Sequence, residues 1–367
     1  MKKNFRQIIY ISELNLPNIS AQALQTLKMC SAFASKKETK LIVLNSLKNF
    51  NFFKKNYLLK SYFSITGVFK KPKKINFMTR LLFFVKLINS IDFNKKDLII
   101  TRSIMISILL SIYGIKNILE LHIENTSFTK FFFKIKFFFL NSKNQKFILI
   151  SKNLNDFFKL KKKDYIILDD ASDPNDFNFK NKTPKYNSCI FVGSFFKGKG
   201  LELITEISKK MPNIKFYLYG KPTNYFKNKK KEFSKNIISR GYLPYSKIPR
   251  LLSQHKVCLM PYARKTSINA NNTSNEKYIS PLKLFDYLSS GKILVASKLE
   301  AYKHLLVDQK NCFLASPDKV GEWVKILDKI FKNYKNLKEI RRNARNTAKL
   351  YTWSKRAEKI IKFAKTI

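Results

Sequence analysis

The sequence predicts an α/β chain built from two doubly wound, Rossmann-like domains. Three observations carry this. The chain opens with a βαβ pattern: a strand at Gln7–Ser12, a helix at Ser20–Phe33 and a strand at Leu41–Leu44. A polar stretch from Asp173 to Asn187, containing Pro174, Pro184 and several Asn, reads as a linker. From residue 188 onward, strand and helix patterns alternate to the end of the chain. A length of 367 residues accommodates two ordinary domains, and a hydrophobic content of 45% supplies a core to each. The predicted divisions are an N-terminal domain over 1–172, a linker over 173–187, a second domain over 188–350 and a final helix over 351–367.

The first helix rests on Ala23, Leu24, Leu27, Cys30 and Phe33, which recur with a helical period. Between it and the first strand, Glu13–Ile19 reads as a polar loop at a strand's carboxyl end, where doubly wound sheets bind ligands. Leu44 to Ile91 carries ten Lys/Arg and no acid, interleaved with ten Phe or Tyr between Phe50 and Phe84. Two readings stay open: aromatic core beneath solvated lysines, or a membrane-facing surface with basic anchors. Residues 126–140 are a second candidate for either. Asp97–Thr101 reads as a strand leading to Arg102 and Ser103. Asn117–Leu121 is another, ending in Glu120-Leu-His122, and Phe147–Ile150 and Tyr165–Leu168 follow. In the second half, strands fall at 188–195, 213–220, 236–240, 257–262, 293–297 and 311–315. Helices fall between them, then at 335–350 and 353–365.

Composition narrows the function classes. Net charge is +48, with 72 Lys+Arg against 24 Asp+Glu. Only ten of the basic residues are Arg. Base readout leans on Arg, and no helix-turn-helix, finger or RNP motif is present, so no nucleic-acid partner is expected. The charge fits a Lys-rich solvated surface, with an anionic membrane surface as a further partner. No run reaches the roughly 18 apolar residues of a spanning helix. Ile8–Ile11 is too short for a signal-peptide core. The expectation is a cytoplasmic chain, or one held peripherally on the inner membrane face. Cys30, Cys189, Cys258 and Cys312 are scattered singly, which predicts buried, reduced thiols rather than a disulfide frame or a zinc site.

The most informative stretch is Tyr278–Lys292, Y-I-S-P-L-K-L-F-D-Y-L-S-S-G-K. Pro281 suits the first turn of a helix, with Ser280 before it as a cap. Leu282, Leu284, Phe285 and Leu288 form a buried stripe, and Gly291 ends the helix. Such a helix start, with Lys283 in its first turn, is an anion site. Asp286, one turn on, can accept hydrogen bonds from hydroxyls.

This helix, beginning S-P-L-K-L-F-D-Y, resembles the C-terminal signature of GT-B glycosyltransferases of the family 4 type. Ile190–Leu201 (I-F-V-G-S-F-F-K-G-K-G-L) is similar to that family's turn at the donor pyrophosphate. Gly241–Leu252 with Val257–Tyr262 resembles its nucleotide-facing loop and the strand after it. Tyr351-Thr-Trp353 resembles the start of its closing helix. The resemblance covers most of residues 188–365, and the N-terminal half matches more loosely. It implies two Rossmann-like domains facing a central cleft, with the last helix crossing back to the first domain. It implies transfer of a sugar from a UDP- or GDP-sugar to a surface-polysaccharide or lipid-linked acceptor, with retention. No cofactor and no metal are expected, since no D-x-D motif flanked by a strand is present.

The resemblance also assigns roles. Lys199 meets the diphosphate, assisted by Lys197 and by the amides near Ser280, Pro281, Leu282 and Lys283. Ser194 stands where the family usually has Arg. Asp286 stands where the family has Glu and holds ribose. Gly241, Tyr242 and Leu243 lie beside the base, Tyr262 lies near the sugar, and His122 faces the donor sugar. No residue stands out as a general base, and retaining members often use the donor phosphate itself. The Ser194 and Asp286 departures keep open a donor-binding or scaffold protein that binds nucleotide without turnover. A GT-B sugar-nucleotide epimerase would release UDP with no acceptor.

Overall fold

The computed structural model describes residues 4–122, 144–178, 184–267, 273–275 and 281–366. Two units form, Met1–Asp169 with Trp353–Ile367, and Asp170–Thr352.

The first unit is built on a parallel seven-stranded sheet. Its strands are β1 (Ile8–Leu16), β2 (Thr39–Ser46), β3 (Ser64–Gly67), β4 (Leu98–Thr101), β5 (Asn117–Leu121), β6 (Gln145–Leu149) and β7 (Tyr165–Ile167). They are arranged β3-β2-β1-β4-β5-β6-β7. The order reverses between β1 and β4, so the chain winds outward from the middle in both directions. The helices are α1 (Ala21–Ala34), α2 (Phe50–Tyr57), α3 (Phe77–Ser90), α4 (Ile104–Ile112) and α5 (Leu154–Phe158). Ser20, Asn49, Asn76 and Ser103 cap the first four, each accepting a backbone N–H three residues on. Ile9, Ile11, Ile42, Leu44 and Ile99 of the sheet pack against Phe83, Phe84 and Leu87 of α3 and Ile106 and Leu110 of α4.

One expectation is corrected here. β1 runs to Leu16, so Glu13–Leu16 is strand rather than loop. Leu14 and Leu16 are buried while Glu13 and Asn15 are half-buried. This alternation continues the strand through residues whose polarity reads as a loop. The aromatic side chains of the basic segment are only partly core. Phe53, Tyr57, Phe63, Phe83 and Phe84 are core, Phe50, Phe52 and Phe69 are half-buried, and Tyr62 and Phe77 are exposed. The 126–140 segment lies outside the described residues.

The second unit carries a parallel six-stranded sheet ordered β10-β9-β8-β11-β14-β15. The strands are β8 (Tyr186–Val192), β9 (Lys215–Tyr219), β10 (Ile237–Ser239), β11 (His255–Met260), β14 (Ile293–Ser297) and β15 (Phe313–Ala315). A small antiparallel hairpin, β12 (Lys265–Ser267) with β13 (Thr273–Asn275), follows β11. The helices are α6 (Leu201–Lys210), α7 (Asn224–Lys229), α8 (Ile248–Ser253), α9 (Leu282–Ser290), α10 (Val320–Asn333) and α11 (Lys338–Ala348). Of the predicted linker, Pro174–Phe177 forms a 3-10 turn of this unit, with Pro174 and Phe177 buried. Residues 179–183 lie outside the described residues. The final helix, α12 (Trp353–Ala364), belongs to the first unit, where it packs against α1 and buries Trp353, Arg356, Ala357, Ile360 and Ala364. All four cysteines are free and buried, as their scatter predicts. No helix among the described residues is long and apolar enough to cross a membrane.

Candidate functional site

In a doubly wound sheet, the crevice for a ligand opens beyond the strand ends where the order reverses. In the second unit that point lies between β8 and β11. The turns leaving these two strands hold Ser194, Lys197, Lys199 and Tyr262.

β8 ends at Val192, and glycine carries the chain through the turn. Gly193, Gly198 and Gly200 have φ of +147°, +76° and +108°, a region closed to most side chains. Space is as tight as conformation. A Cβ on Gly198 would fall on the Lys265 carbonyl oxygen, and one on Gly200 would fall on Pro261. The 193–200 turn is thus laid directly on the segment leaving β11, and Ala263 N donates to Gly198 O at 2.9 Å. Glycine also follows the two outer strands, as Gly220 after β9 and Gly241 after β10. Gly193 N donates to Tyr219 O at 2.9 Å and Gly220 N to Gly241 O at 2.8 Å. A Cβ on Gly220 would strike the Gly193 carbonyl oxygen.

Two lysines converge on this floor. Lys199 Nζ stands 4.7 Å from the centre of the Tyr262 ring. Lys283, in the first turn of α9, places Nζ 3.7 Å from the centre of the Phe191 ring and 5.2 Å from that of Tyr262. Lys283 Nζ is buried and has no hydrogen-bond partner among the described residues. A Cβ on Gly193 would collide with it. Burial lowers the Lys199 ammonium from its ordinary value to about 8. Burial, and then the charge of Lys199, push Lys283 well below the ordinary lysine range. Aromatic faces compensate part of this through cation–π attraction. No carboxylate is paired with either ammonium among the described residues. Two crowded lysines at a glycine-lined helix start are an arrangement that can receive a compact, multiply charged anion.

α9 differs in one detail from its expected start. Pro281 is the N-cap residue, with extended ψ of 121°, and the helix begins at Leu282. Proline's fixed φ serves the step into the helix here. Ser280 lies outside the described residues. Leu282 and Pro281 are half-buried at the helix start, and Gly291 ends the helix at φ +61°. Ser194 and Lys197 are exposed on the turn. Tyr242 is exposed and Leu243 half-buried, beyond the end of β10. Tyr262 is buried beneath the lysines.

Asp286 is buried, and its Oδ1 accepts from Ser172 Oγ at 3.0 Å and Tyr245 Oη at 2.9 Å. This oxygen ties α9 to the 170–178 segment and to the turn before α8. Its neighbour Tyr287 is the residue that the sequence reading overlooks. Val192 N donates to Tyr287 Oη at 2.8 Å, which pins the end of β8 to α9. The alternation of the stripe around Phe285 and Leu288 could have marked Tyr287 as inward-facing. Phe191, the ring beneath Lys283, reads from sequence only as a core strand residue.

His122 lies in the first unit, just past β5. Its Nε2 is 2.7 Å from Glu120 Oε1. Glu120 is a hub of a buried network. The same Oε1 accepts from Gln25 Nε2 at 2.6 Å and Arg356 Nη2 at 2.9 Å, and Oε2 accepts from Tyr10 Oη at 3.2 Å. Arg102 Nη1 donates to Gln25 Oε1 at 2.8 Å. Burial alone would raise the Glu120 carboxyl. Arg356, His122 and Arg102 overcome it and hold the group well below the usual range. Burial, together with Arg102 and Arg356, lowers His122 to about 4 against the pull of Glu120. The imidazole is therefore neutral near pH 7, oriented by a carboxylate, and 14% exposed. Arg356 comes from α12, some 230 residues away in sequence (|i−j| = 236), which is why spacing around Glu120 and His122 does not reveal it.

A family model described as glycosyl transferase-like matches residues 201–362. No curated protein matches the chain. Among solved structures, Anabaena Alr3699/HepE in complex with UDP and glucose is 13% identical, with a TM-score of 0.74 over 98% of this chain and 99% of that one. A glycosyltransferase from Rickettsia africae ESF-5 is 13% identical, with a TM-score of 0.72 over 99% and 98%. WaaG, described as a glycosyltransferase involved in lipopolysaccharide biosynthesis, is 11% identical, with a TM-score of 0.64 over 96% and 99%. The fold is GT-B, with two doubly wound α/β domains.

Proposed function

We propose that this chain is a glycosyltransferase that moves a sugar from a UDP- or GDP-sugar to a surface-polysaccharide or lipid-linked acceptor. The observation that carries the reading is the pair of crowded lysines, Lys199 and the buried Lys283, whose Nζ has no hydrogen-bond partner among the described residues, set at the switch point of the second sheet. The match of residues 201–362 to a glycosyl transferase-like family supports it. So does the fold shared with HepE, whose structure holds UDP and glucose.

In this reading the diphosphate lies over Gly193 and Gly200 against both lysines. Lys197 and Ser194 reach it from the exposed side of the turn, with amides of the 280–283 helix start beside them. The base points toward Gly241, Tyr242 and Leu243. β10 lies two strands from β8, about 10 Å away, a span suited to a nucleotide. Tyr262 flanks the sugar, and Asp286 meets the ribose while Ser172 and Tyr245 hold its Oδ1. His122 keeps the donor-sugar role that the resemblance gives it. As the glycosidic bond to the diphosphate breaks, charge grows on the leaving phosphate. Preformed cations there stabilise the transition state more than the ground state. The lysines supply that charge, so the reaction needs no metal. A neutral His122 donates or accepts a hydrogen bond from a sugar hydroxyl without adding charge.

The test is acceptor-dependent release of UDP or GDP in the presence of EDTA, with the anomeric configuration of the product read by NMR. Retention with metal-independent release is expected. Nucleotide release without an acceptor would instead favour an epimerase. Binding without release would favour a donor-binding scaffold, which the Ser194 and Asp286 substitutions would then explain.

A further inference from the structure

α3 presents two apolar faces. Phe83, Phe84 and Leu87 point into the core of the first unit. On the opposite side Met78 is 59% exposed, Leu82 51% and Val85 46%. These three sit at i, i+4 and i+7, so they form one stripe along the helix. The outer face of a surface helix is ordinarily polar. Phe77, the first residue of α3, and Ile75, just before the helix, add to this apolar surface at 48% and 46% exposure. Five large apolar side chains held together in water mark a docking surface rather than scattered exposure.

Charge identifies the occupant. Lys70, Lys71, Lys73 and Lys74, all exposed, immediately precede the stripe. Lys86 flanks it, with Nζ 5.6 Å from the Phe69 ring centre. There is no Asp or Glu from Leu44 to Ile91. Glu13, the acid packed against α3, is held by Arg80 at 3.0 Å and Ser103 at 2.5 Å. A second copy of this chain would set lysine against lysine. The matching surface is one that offers hydrocarbon beneath a layer of negative charge. We propose that α3 and the basic turn ahead of it dock on an anionic lipid membrane, with Ile75, Phe77, Met78, Leu82 and Val85 entering the headgroup–acyl boundary. Lysine stems lie along this surface with their ammoniums at the phosphates. This goes beyond the transfer reaction and does not depend on it.

The test is co-sedimentation of the full chain with vesicles of 30% phosphatidylglycerol in phosphatidylcholine, against vesicles of pure phosphatidylcholine. A chain of this net charge adheres to anionic surfaces in general, so the decisive variant leaves charge unchanged. Met78→Ser/Leu82→Ser/Val85→Ser is expected to weaken partitioning at least tenfold while nucleotide binding stays unchanged. Its side chains lie off the core, and an unchanged melting curve would verify the fold. Lys70, Lys71, Lys73 and Lys74 changed to Gln should weaken binding far more than the same change at Lys227, Lys229, Lys230 and Lys231, about fivefold for each lysine at the surface. Trp323 and Trp353 are both buried, so Leu82→Trp gives a surface reporter, and its emission should shift to the blue on the anionic vesicles. Undiminished binding of the serine variant, equal effects of the two lysine sets, or no blue shift would overturn the proposal. So would concentration-dependent dimerisation in the ultracentrifuge that the serine variant abolishes.

Discussion

Binding of a nucleotide-diphosphate sugar near pH 8 should draw protons from solution. Burial lowers Lys199 to about 8, so about half of the molecules would carry a proton there at pH 8. Lys283 lies well below its ordinary value because it is buried and beside Lys199. A diphosphate against both ammoniums favours their charged forms and raises both. Uptake of up to about 0.5 proton by Lys199 follows, and Lys283 shifts the balance in the same direction. The diphosphate of a nucleotide sugar has no group that titrates near this pH, so the protons go to the protein. Calorimetric titration in buffers of different ionisation enthalpy measures the number directly. Lys283→Met should reduce the uptake and weaken binding by about 10- to 100-fold, as for loss of a charge-assisted hydrogen bond. The same variant should stabilise the protein without ligand, because it removes a buried amine that lacks a hydrogen-bond partner among the described residues. Uptake below about 0.2 proton in the unaltered protein, or a Lys283→Met protein of normal affinity, would refute the reasoning.

Other perturbations test the frame around the site. Arg356→Ala leaves Glu120 charged and buried, so the first unit should lose about 3–5 kcal/mol in denaturant unfolding; a loss under about 1 kcal/mol would contradict the hub. His122 has a folded value lowered to about 4, so the unfolded chain takes up its proton first as pH falls. Stability should therefore be intact above about pH 6.5 and decline toward pH 4, by about 3 kcal/mol, and His122→Gln should flatten that decline in melting experiments. Gly220→Ala drives a Cβ onto the Gly193 carbonyl oxygen and should abolish nucleotide binding and lower the melting temperature sharply. Gly241→Ala, at φ +74° with nothing within 4 Å of its Cβ, should cost only about 1 kcal/mol of backbone strain. Tyr245→Phe removes the bond to Asp286 and should cost about 1.5–3 kcal/mol, as for a hydrogen bond to a charged group.

The second unit is the more legible from sequence. Its strands are short apolar runs between punctuating glycines and prolines, and each element of the alternation appears close to its predicted place. The 193–200 turn is legible because glycine there answers both a positive φ and a close backbone. Lys199 is legible because glycines flank it. Two kinds of feature escape. Glu13–Leu16 carries polar residues on the open side of a strand, so composition hides its continuation. The partners of Glu120 and Asp286 come from distant segments. Tyr245 lies 41 residues from Asp286, and no local period connects such groups. The basic aromatic stretch resists a single reading because one face of α3 is core and the other faces solvent.

The most direct measurement is a thermal-shift panel of UDP-, GDP-, ADP- and CMP-sugars against the unaltered chain, Lys199→Ala and Lys283→Met. Stabilisation grows with ligand concentration over Kd, so even millimolar binding is visible at saturating ligand. The account predicts a shift with a UDP- or GDP-sugar that collapses in both variants. No shift with any nucleotide sugar, or a shift that survives loss of both lysines, would contradict it.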